Sequence, residues 1–208
     1  MLRILLIIGS ILSTNLALAT NGFLSMDDPN SPSTAALSVL ENTIHSIDDF
    51  QKKQQTTAEN IKGLIEKRLL PNIAIELSTK LALKKYWADL NNEQKEIFQA
   101  YIIESLIKDY SGVFASYDKF SSIKISADPN VKRKDNKAIV KLSITLADEP
   151  KPITVSIKMI YSKKWRVYDV VFSGVSLIKT YAAQFNSHIK RKGVDNLVDK
   201  LLKKLAKI

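Results

Sequence analysis

The chain has 208 residues, a formal net charge of +10 at pH 7 and no cysteine. This length suits one domain of ordinary size, and the absence of cysteine excludes disulfide bonds and thiolate sites. The excess of Lys and Arg favours anionic partners, such as lipid headgroups or an acidic protein.

The first 19 residues have the pattern of a secretory signal peptide. A single positive charge at Arg3 precedes an apolar run over residues 4–12, and Ala17-Leu18-Ala19 has the small-x-small pattern that a signal peptidase recognises. A transmembrane anchor is the alternative, but the run is shorter than the ~20 residues that span a bilayer. We predict an exported protein with a signal peptide at 1–19, a flexible polar segment at 20–32 and a single domain at 33–208.

Four helices are predicted before the first strand. The first has apolar residues at helical spacing, and Thr56 with Glu59 can form a capping box for the second. Pro71 can open a third helix that continues to about Tyr86. The fourth and longest starts after Asn91, its predicted N-cap. Its apolar stripe is wide enough to contact apolar groups on two sides.

After Tyr117 the apolar period changes to two, which predicts strands at 120–127, 137–147, 152–162 and 164–173. The connecting loops are short, so we expect an antiparallel meander with one apolar face and one solvated face. In the last strand, simple alternation places Trp165 and Asp169 on one face and Tyr168 and Phe172 on the other.

Two helices are predicted after the sheet. Ser176 can cap a helix that reaches about Lys192, and Gly193 separates it from a final amphipathic helix. The final helix could pack on the body or lie on a membrane, and the need to cover the sheet favours packing. The predicted fold is α+β: a curved four-stranded antiparallel sheet, wrapped by N-terminal and C-terminal helices, that could enclose an apolar cavity.

Residues suited to catalysis are scarce. The two histidines, His45 and His188, lie far apart in the sequence, and no metal-ligand spacing or phosphate-binding glycine loop is present. Asp169 is the one acid among apolar strand residues, so it could act as a general base. The alternative, which we favour, is a carboxylate bonded to backbone amides or to a nearby Lys. We therefore expect no catalytic residues, no metal and no enzyme activity.

Basic clusters occur at 132–134, 163–166 and 190–192, each at a predicted turn or helix end. Such charges are ordinarily solvated, although each cluster could also form a docking surface. Nucleic-acid binding is disfavoured, because few aromatic residues are interleaved with these charges.

Four stretches follow the predicted signal peptide in the order LLPNIAIELSTKLALKKYW, NNEQKEIFQAYIIESLIKDYSGVFASY, KKWRVYDVVFSGVSLIKTYAAQF and GVDNLVDKL. The most specific element is W-x-V-Y-D-V-x-x-x-G-V-S-L-I at 165–178. Together they resemble the MlaC family of periplasmic phospholipid-binding proteins, also called the toluene-tolerance family. The resemblance implies a body of the nuclear-transport-factor type with added helices, which holds acyl chains in a deep apolar cavity and the headgroup near its mouth.

The resemblance also implies a function. The protein would be a periplasmic carrier, acting as a monomer without a cofactor, with bound phospholipid as its cargo. It would move phospholipid between an outer-membrane lipoprotein complex and an inner-membrane ABC transporter with a lipid-binding ring, and so maintain outer-membrane lipid asymmetry. The alternative function is an enzyme of similar cone-shaped fold that uses Asp169 as a general base on a hydrophobic substrate.

On this resemblance, the strand, turn and helix around Gly174 form a cavity wall, joined by residues of the central sheet and the long helix. The candidate lipid-binding residues are Ile102, Leu106, Val155, Ile157, Val170, Phe172, Val175, Tyr181 and Phe185.

Three positions depart from the family's common pattern. The family often has glycine at Lys84, an acid at Ser173 and arginine at Ala182. We expect from the last two that one surface ion pair of the family is absent here.

Overall fold

The computed structural model describes residues 30–147 and 149–207. The predicted signal peptide at 1–19 and most of the predicted flexible segment at 20–32 lie outside the described residues. The α-helices are α1 Pro32–Lys52, α2 Ala58–Leu64, α3 Ile75–Leu83, α4 Asn92–Ser116, α5 Leu177–Lys192 and α6 Val194–Leu205. The strands are β1 Lys124–Ala127, β2 Lys132–Lys134, β3 Lys137–Thr145, β4 Ile153–Ser162, β5 Lys164–Phe172 and β6 Val175–Ser176.

Side-chain caps define several helix starts. Asn91 Oδ1 accepts a hydrogen bond from Gln94 N at 2.8 Å, while Gln94 Oε1 accepts one from Asn91 N, so the predicted N-cap of α4 is confirmed. Ser176 Oγ accepts from Lys179 N and caps α5, as predicted. The predicted cap of α2 was wrong by one residue, because Thr57 rather than Thr56 accepts from Asn60 N.

The third helix does not run from Pro71 to Tyr86 as predicted. The chain passes through a π-helical turn, Ile65–Leu69, and a 3₁₀ turn, Leu70–Asn72, before α3 begins at Ile75. The reason is tertiary: Ile73 pairs with Val167 on the free edge of β5, and Ala74 N donates to Val167 O at 2.7 Å. Ile73 is therefore extended where a local pattern predicts helix.

The sheet is antiparallel and has six strands rather than the four predicted. Its order is β1-β3-β4-β5-β6, and β2 pairs with β3 beside β1. The two additional strands, β2 and β6, have three and two residues. The turn between β5 and β6 consists of Ser173 and Gly174, both at positive φ, as a tight two-residue hairpin requires.

A bulge in β5 decides which side chains face which side of the sheet. Val167 pairs with Met159 and Asp169 pairs with Lys158, so Tyr168 has no partner across the ladder. The extra residue reverses the alternation after Val167. The sequence prediction for this strand was therefore wrong: Trp165 and Phe172 share the inner face, and Asp169 lies on the outer face.

Three groups of buried residues hold the domain together. The sheet cluster joins the inner face of the sheet to α1 through Ala36, Val140, Leu142 and their neighbours. The helical cluster lies among α3, α4, α5 and α6. A third group joins α1, α2 and the C-terminal half of α4. Because α6 buries Leu197 and Leu201 in the helical cluster, it packs on the body as favoured from the sequence.

Candidate functional site

An apolar cavity of about 180 Å³ lies between α1 and the inner face of the sheet. Helix α1 forms one wall, β4 and β5 form the opposite wall, and the segment before α3 closes one side. Nearly all of the lining is apolar. The lining residues are Ala35, Ala36, Val39, Leu40, Leu69, Asn72, Ile73, Ile157, Met159, Trp165, Val167 and Val170.

Small side chains on α1 leave this space open. Ala35 and Ala36 lie where the helix faces β4, opposite Ile157 and Met159. An alanine pair cannot fill the gap between a helix and a sheet as larger apolar residues would. The helical stripe that contains Ala36 is predictable from the sequence, but the cavity depends on α1 crossing the sheet at its alanines.

Polar and cationic groups collect where Trp165 and Asn72 line the cavity. The indole Nε1 of Trp165 donates to the backbone oxygen of Asn30 at 2.8 Å, which ties the start of α1 to the sheet. Lys164 Nζ donates to Asn72 Oδ1 at 3.0 Å. The guanidinium of Arg133 lies 5.7 Å from the centre of the Trp165 ring. Two cations therefore contact residues of the cavity wall.

The structure brings only some of the candidate lipid-binding residues together. Ile157 and Val170 are paired across β4 and β5 and line the cavity. Val155 is buried in the same sheet cluster. Phe172 and Val175 share the inner face but lie beyond the cavity, where they are 51% and 60% exposed.

The remaining candidates lie in the helical cluster, away from the cavity lining. Ile102 and Phe185 are fully buried there, and Leu106 packs against the cluster. The Phe185 ring lies 5.8 Å from that of Tyr181, whose hydroxyl is 2.9 Å from Ser105 Oγ. That all nine candidate residues contact acyl chains stays a prediction.

Sequence reasoning missed most of the lining. Val39 and Leu40 belong to the apolar helical spacing that predicts the first helix. Alternation could not tell which face of the strand with Trp165 and Val167 points inward. The available signal was the alanine pair at the start of α1, where a helix that covers a sheet would otherwise carry larger residues.

Asp169 is held in a structural role on the outer face. Its carboxylate accepts hydrogen bonds from Lys158 Nζ at 2.9 Å, from Ser176 Oγ at 2.7 Å and from the backbone amide of Ile178 at 3.2 Å. The last two donors belong to the start of α5, where a negative charge is favourable. The favoured interpretation, a carboxylate bonded to an amide and a Lys, is confirmed, and this carboxylate does not line the cavity.

The three departures from the family pattern have different consequences. Lys84 has φ of 53°, a left-handed conformation that glycine adopts more easily. Ser173 is exposed, but Ala182 is buried on α5, where it is 5% exposed. The expected absence of a surface ion pair stays a prediction, and the alanine that replaces the family's arginine is buried rather than at the surface.

The described residues contain neither a metal-ligand group nor a membrane-spanning helix. Within 30–147 and 149–207, no three His, Asp or Glu side chains are grouped so that they could hold a metal ion. None of the helices in these ranges is long and apolar enough to cross a membrane.

The sequence profile of the family described as MlaC protein matches residues 38–203. The chain belongs to the MlaC family. The match includes most of α1 and α6, all six strands and the other helices, and it covers the cavity lining apart from Ala35 and Ala36. The family resemblance of the sequence is thereby confirmed.

One protein is similar to this chain in sequence, and one solved structure is similar to it in fold. The intermembrane phospholipid transport system binding protein MlaC of Haemophilus influenzae is 24% identical over 175 residues, which cover 82% of this chain and 80% of that protein. A phospholipid-binding protein from Ralstonia solanacearum, solved in complex with a phospholipid, has a TM-score of 0.74 at 22% identity. The similarity covers 85% of this chain and 98% of that one, and it shows a shared fold.

Proposed function

We propose that this protein is a periplasmic phospholipid carrier. It receives phospholipid from one membrane complex, shelters the acyl chains, and delivers the lipid to another. The single observation that carries the proposal is the apolar cavity between α1 and the sheet. The names of the Haemophilus and Ralstonia proteins, which refer to phospholipid transport and phospholipid binding, support it.

The energetics explain why lipid needs a carrier. Burial of one methylene group stabilises by about 0.8 kcal/mol, so an acyl chain of ~16 carbons in water costs roughly 13 kcal/mol. Free diffusion of a two-chain lipid across an aqueous compartment is therefore negligible. A dry apolar cavity offsets most of this cost, and a bilayer does the same. The small difference between the two allows both loading and release.

The size of the cavity adds a requirement. An engineered apolar cavity of about 150 Å³ is known to hold benzene, so 180 Å³ accommodates a short acyl segment only. A lipid with two chains of ~16 carbons has roughly five times as many carbons as benzene. Loading must therefore widen the space between α1 and the sheet, and we place the acyl chains in that widened space.

The cations at the Trp165 and Asn72 end of the cavity favour a headgroup position there. Arg133 and Lys164 contact Trp165 and Asn72, both of which line the cavity. A phosphate near these cations would be stabilised while its acyl chains enter between α1 and β4. Because the cations are at the surface, such contacts favour a headgroup position without preventing release.

An enzyme that uses Asp169 as a general base on a hydrophobic substrate is not supported by the geometry. The carboxylate accepts three hydrogen bonds and lies across the sheet from the cavity. A substrate held between α1 and the inner face could not reach it. We propose that the protein is a carrier, not an enzyme, and that phospholipid is cargo rather than a cofactor.

The proposed partners are an outer-membrane lipoprotein complex and an inner-membrane ABC transporter with a lipid-binding ring. Transport between them would maintain outer-membrane lipid asymmetry, with direction set by the partners. The predicted signal peptide supports a periplasmic location.

Mass spectrometry of solvent-extracted protein tests the proposal. Protein purified from the periplasm should contain phospholipid in a stoichiometric amount. Delipidated protein should accept phospholipid from vesicles and return it to lipid-free acceptor vesicles. Lipid-free protein that takes none from vesicles would contradict the carrier function.

A further inference from the structure

The outer face of the sheet, opposite the cavity, is strongly cationic. The strand pairing places side chains in rows across this face. Lys134, Lys137 and Arg166 share one row, while Lys132 and Lys158 share the next. Lys141 follows in a third row beside Ser156. Neighbouring rows are about 7 Å apart and neighbouring strands about 5 Å apart, so the charges form a dense array.

Negative charge balances only part of this array, through Asp135 in the turn between Lys134 and Lys137 and Asp128 near Lys141. Asp169 is the one carboxylate in the six described strands, and Lys158 already pairs with it. Asp128 lies at the sheet edge near Lys141, but its carboxylate accepts hydrogen bonds from Asn130. Ile160, Ile139 and Val171 lie within the three cationic rows, and the neighbouring row on this face has hydroxyl residues, such as Ser143 and Thr154.

The outer face is accessible along β2 and β3, and its apolar residues Ile139, Ile160 and Val171 are half-buried. Lys132, Lys134, Lys137 and Lys141 are exposed. The exposed large apolar residues of the strands, such as Phe172, belong to the inner face instead. Like charges at these distances repel one another, so the array destabilises the free protein. An anionic partner would remove that repulsion.

We propose that the outer sheet face, formed by Lys132, Lys134, Lys137, Lys141 and Arg166, is a docking surface for an acidic protein surface. The choice of a protein over an anionic bilayer rests on the proposed function. The cationic face and the cavity are on opposite sides of one sheet, so a bilayer against the cations would leave the cavity turned away from the lipid. A protein partner can hold this face while α1 and the cavity remain free.

Charge reversal with a matched control tests the docking surface. The sheet variant carries Lys134→Glu, Lys137→Glu and Lys141→Glu. The control variant carries Lys190→Glu, Lys200→Glu and Lys203→Glu on α5 and α6, which are also exposed and change the net charge equally. Binding to an immobilised oligoglutamate peptide and to phosphatidylcholine vesicles with added phosphatidylglycerol is measured for both.

The sheet variant should bind oligoglutamate about tenfold or more weakly than the wild type, and the control less than about threefold more weakly. Equal losses in the two variants would overturn the proposal, because net charge alone would then explain binding. A sheet variant that loses vesicle binding but keeps peptide binding would also overturn it, in favour of a membrane surface. The amount of bound lipid, measured by mass spectrometry, should be unchanged in the sheet variant. If the wild type contains no lipid, the carrier function is contradicted rather than the docking surface.

Discussion

The cavity can be filled from the α1 wall by Ala36→Phe. Ala36 is 3% exposed and lines the cavity of about 180 Å³. The added ring is the size of benzene, which occupies an engineered cavity of about 150 Å³, so it should fill most of the space. Because the ring enters a gap rather than a packed core, the free energy of unfolding should be unchanged or rise by up to about 2 kcal/mol.

Lipid loading should fall sharply in the same variant. A ring in the cavity displaces about six methylene groups of an acyl chain, each worth about 0.8 kcal/mol, for a loss of about 5 kcal/mol. The partition of lipid from a membrane into the protein should therefore be weaker by a factor of more than about a thousand. Mass spectrometry of extracted protein measures the lipid, and urea unfolding followed by circular dichroism measures the stability.

Ala82→Phe is the matched control. Ala82 is 2% exposed within the helical cluster and does not line the cavity. The same substitution there should overpack the core and cost about 1–3 kcal/mol, while folded protein keeps its lipid. A folded Ala36→Phe variant with wild-type lipid content would refute the assignment of acyl chains to this cavity.

Three other predictions follow from single positions. With Trp87→Phe, brominated phosphatidylcholine should quench the remaining fluorescence of Trp165, which lines the cavity; Trp165→Phe should abolish this quenching. Lys84→Gly should raise the free energy of unfolding by about 1 kcal/mol in urea titrations, because Lys84 has positive φ, whereas Lys85→Gly should lower it. Asp169→Asn should lower the free energy of unfolding by about 2 kcal/mol and leave lipid content per folded molecule unchanged, since Asp169 pairs with a Lys and caps α5 on the outer face.

Each of these has a result that contradicts it. Equal quenching of the two tryptophans would mean that lipid has no preference for the cavity beside Trp165. A Lys84→Gly variant less stable than the wild type would show that the left-handed conformation carries no strain. An Asp169→Asn variant that stays fully stable but loses lipid would place this residue in the transport function.

The sequence was sufficient for the features that depend on nearby residues. The cap at Asn91 and the cap at Ser176 follow from side chains that reach backbone amides three residues away. The long strands follow from a period of two, and the solvated outer face follows from the polar half of that alternation. The sequence shows separate basic clusters at 132–134 and 163–166, but it does not show that their charges form one surface.

Tertiary structure alone decided where the cavity lies. The bulge at Tyr168 reverses the alternation of β5, so no local pattern could tell that Trp165 and Val170 share the inner face. Likewise, Phe185 and Ile102 are as apolar as the cavity lining, yet they pack with each other in the helical cluster. The sequence by itself determined which residues avoid water and which local conformation each segment adopts. Contacts between residues far apart in the chain decided which apolar surfaces meet and which leave a space. These contacts are the pairing of Val167 with Ile73 and the crossing of α1 over the sheet at its alanines.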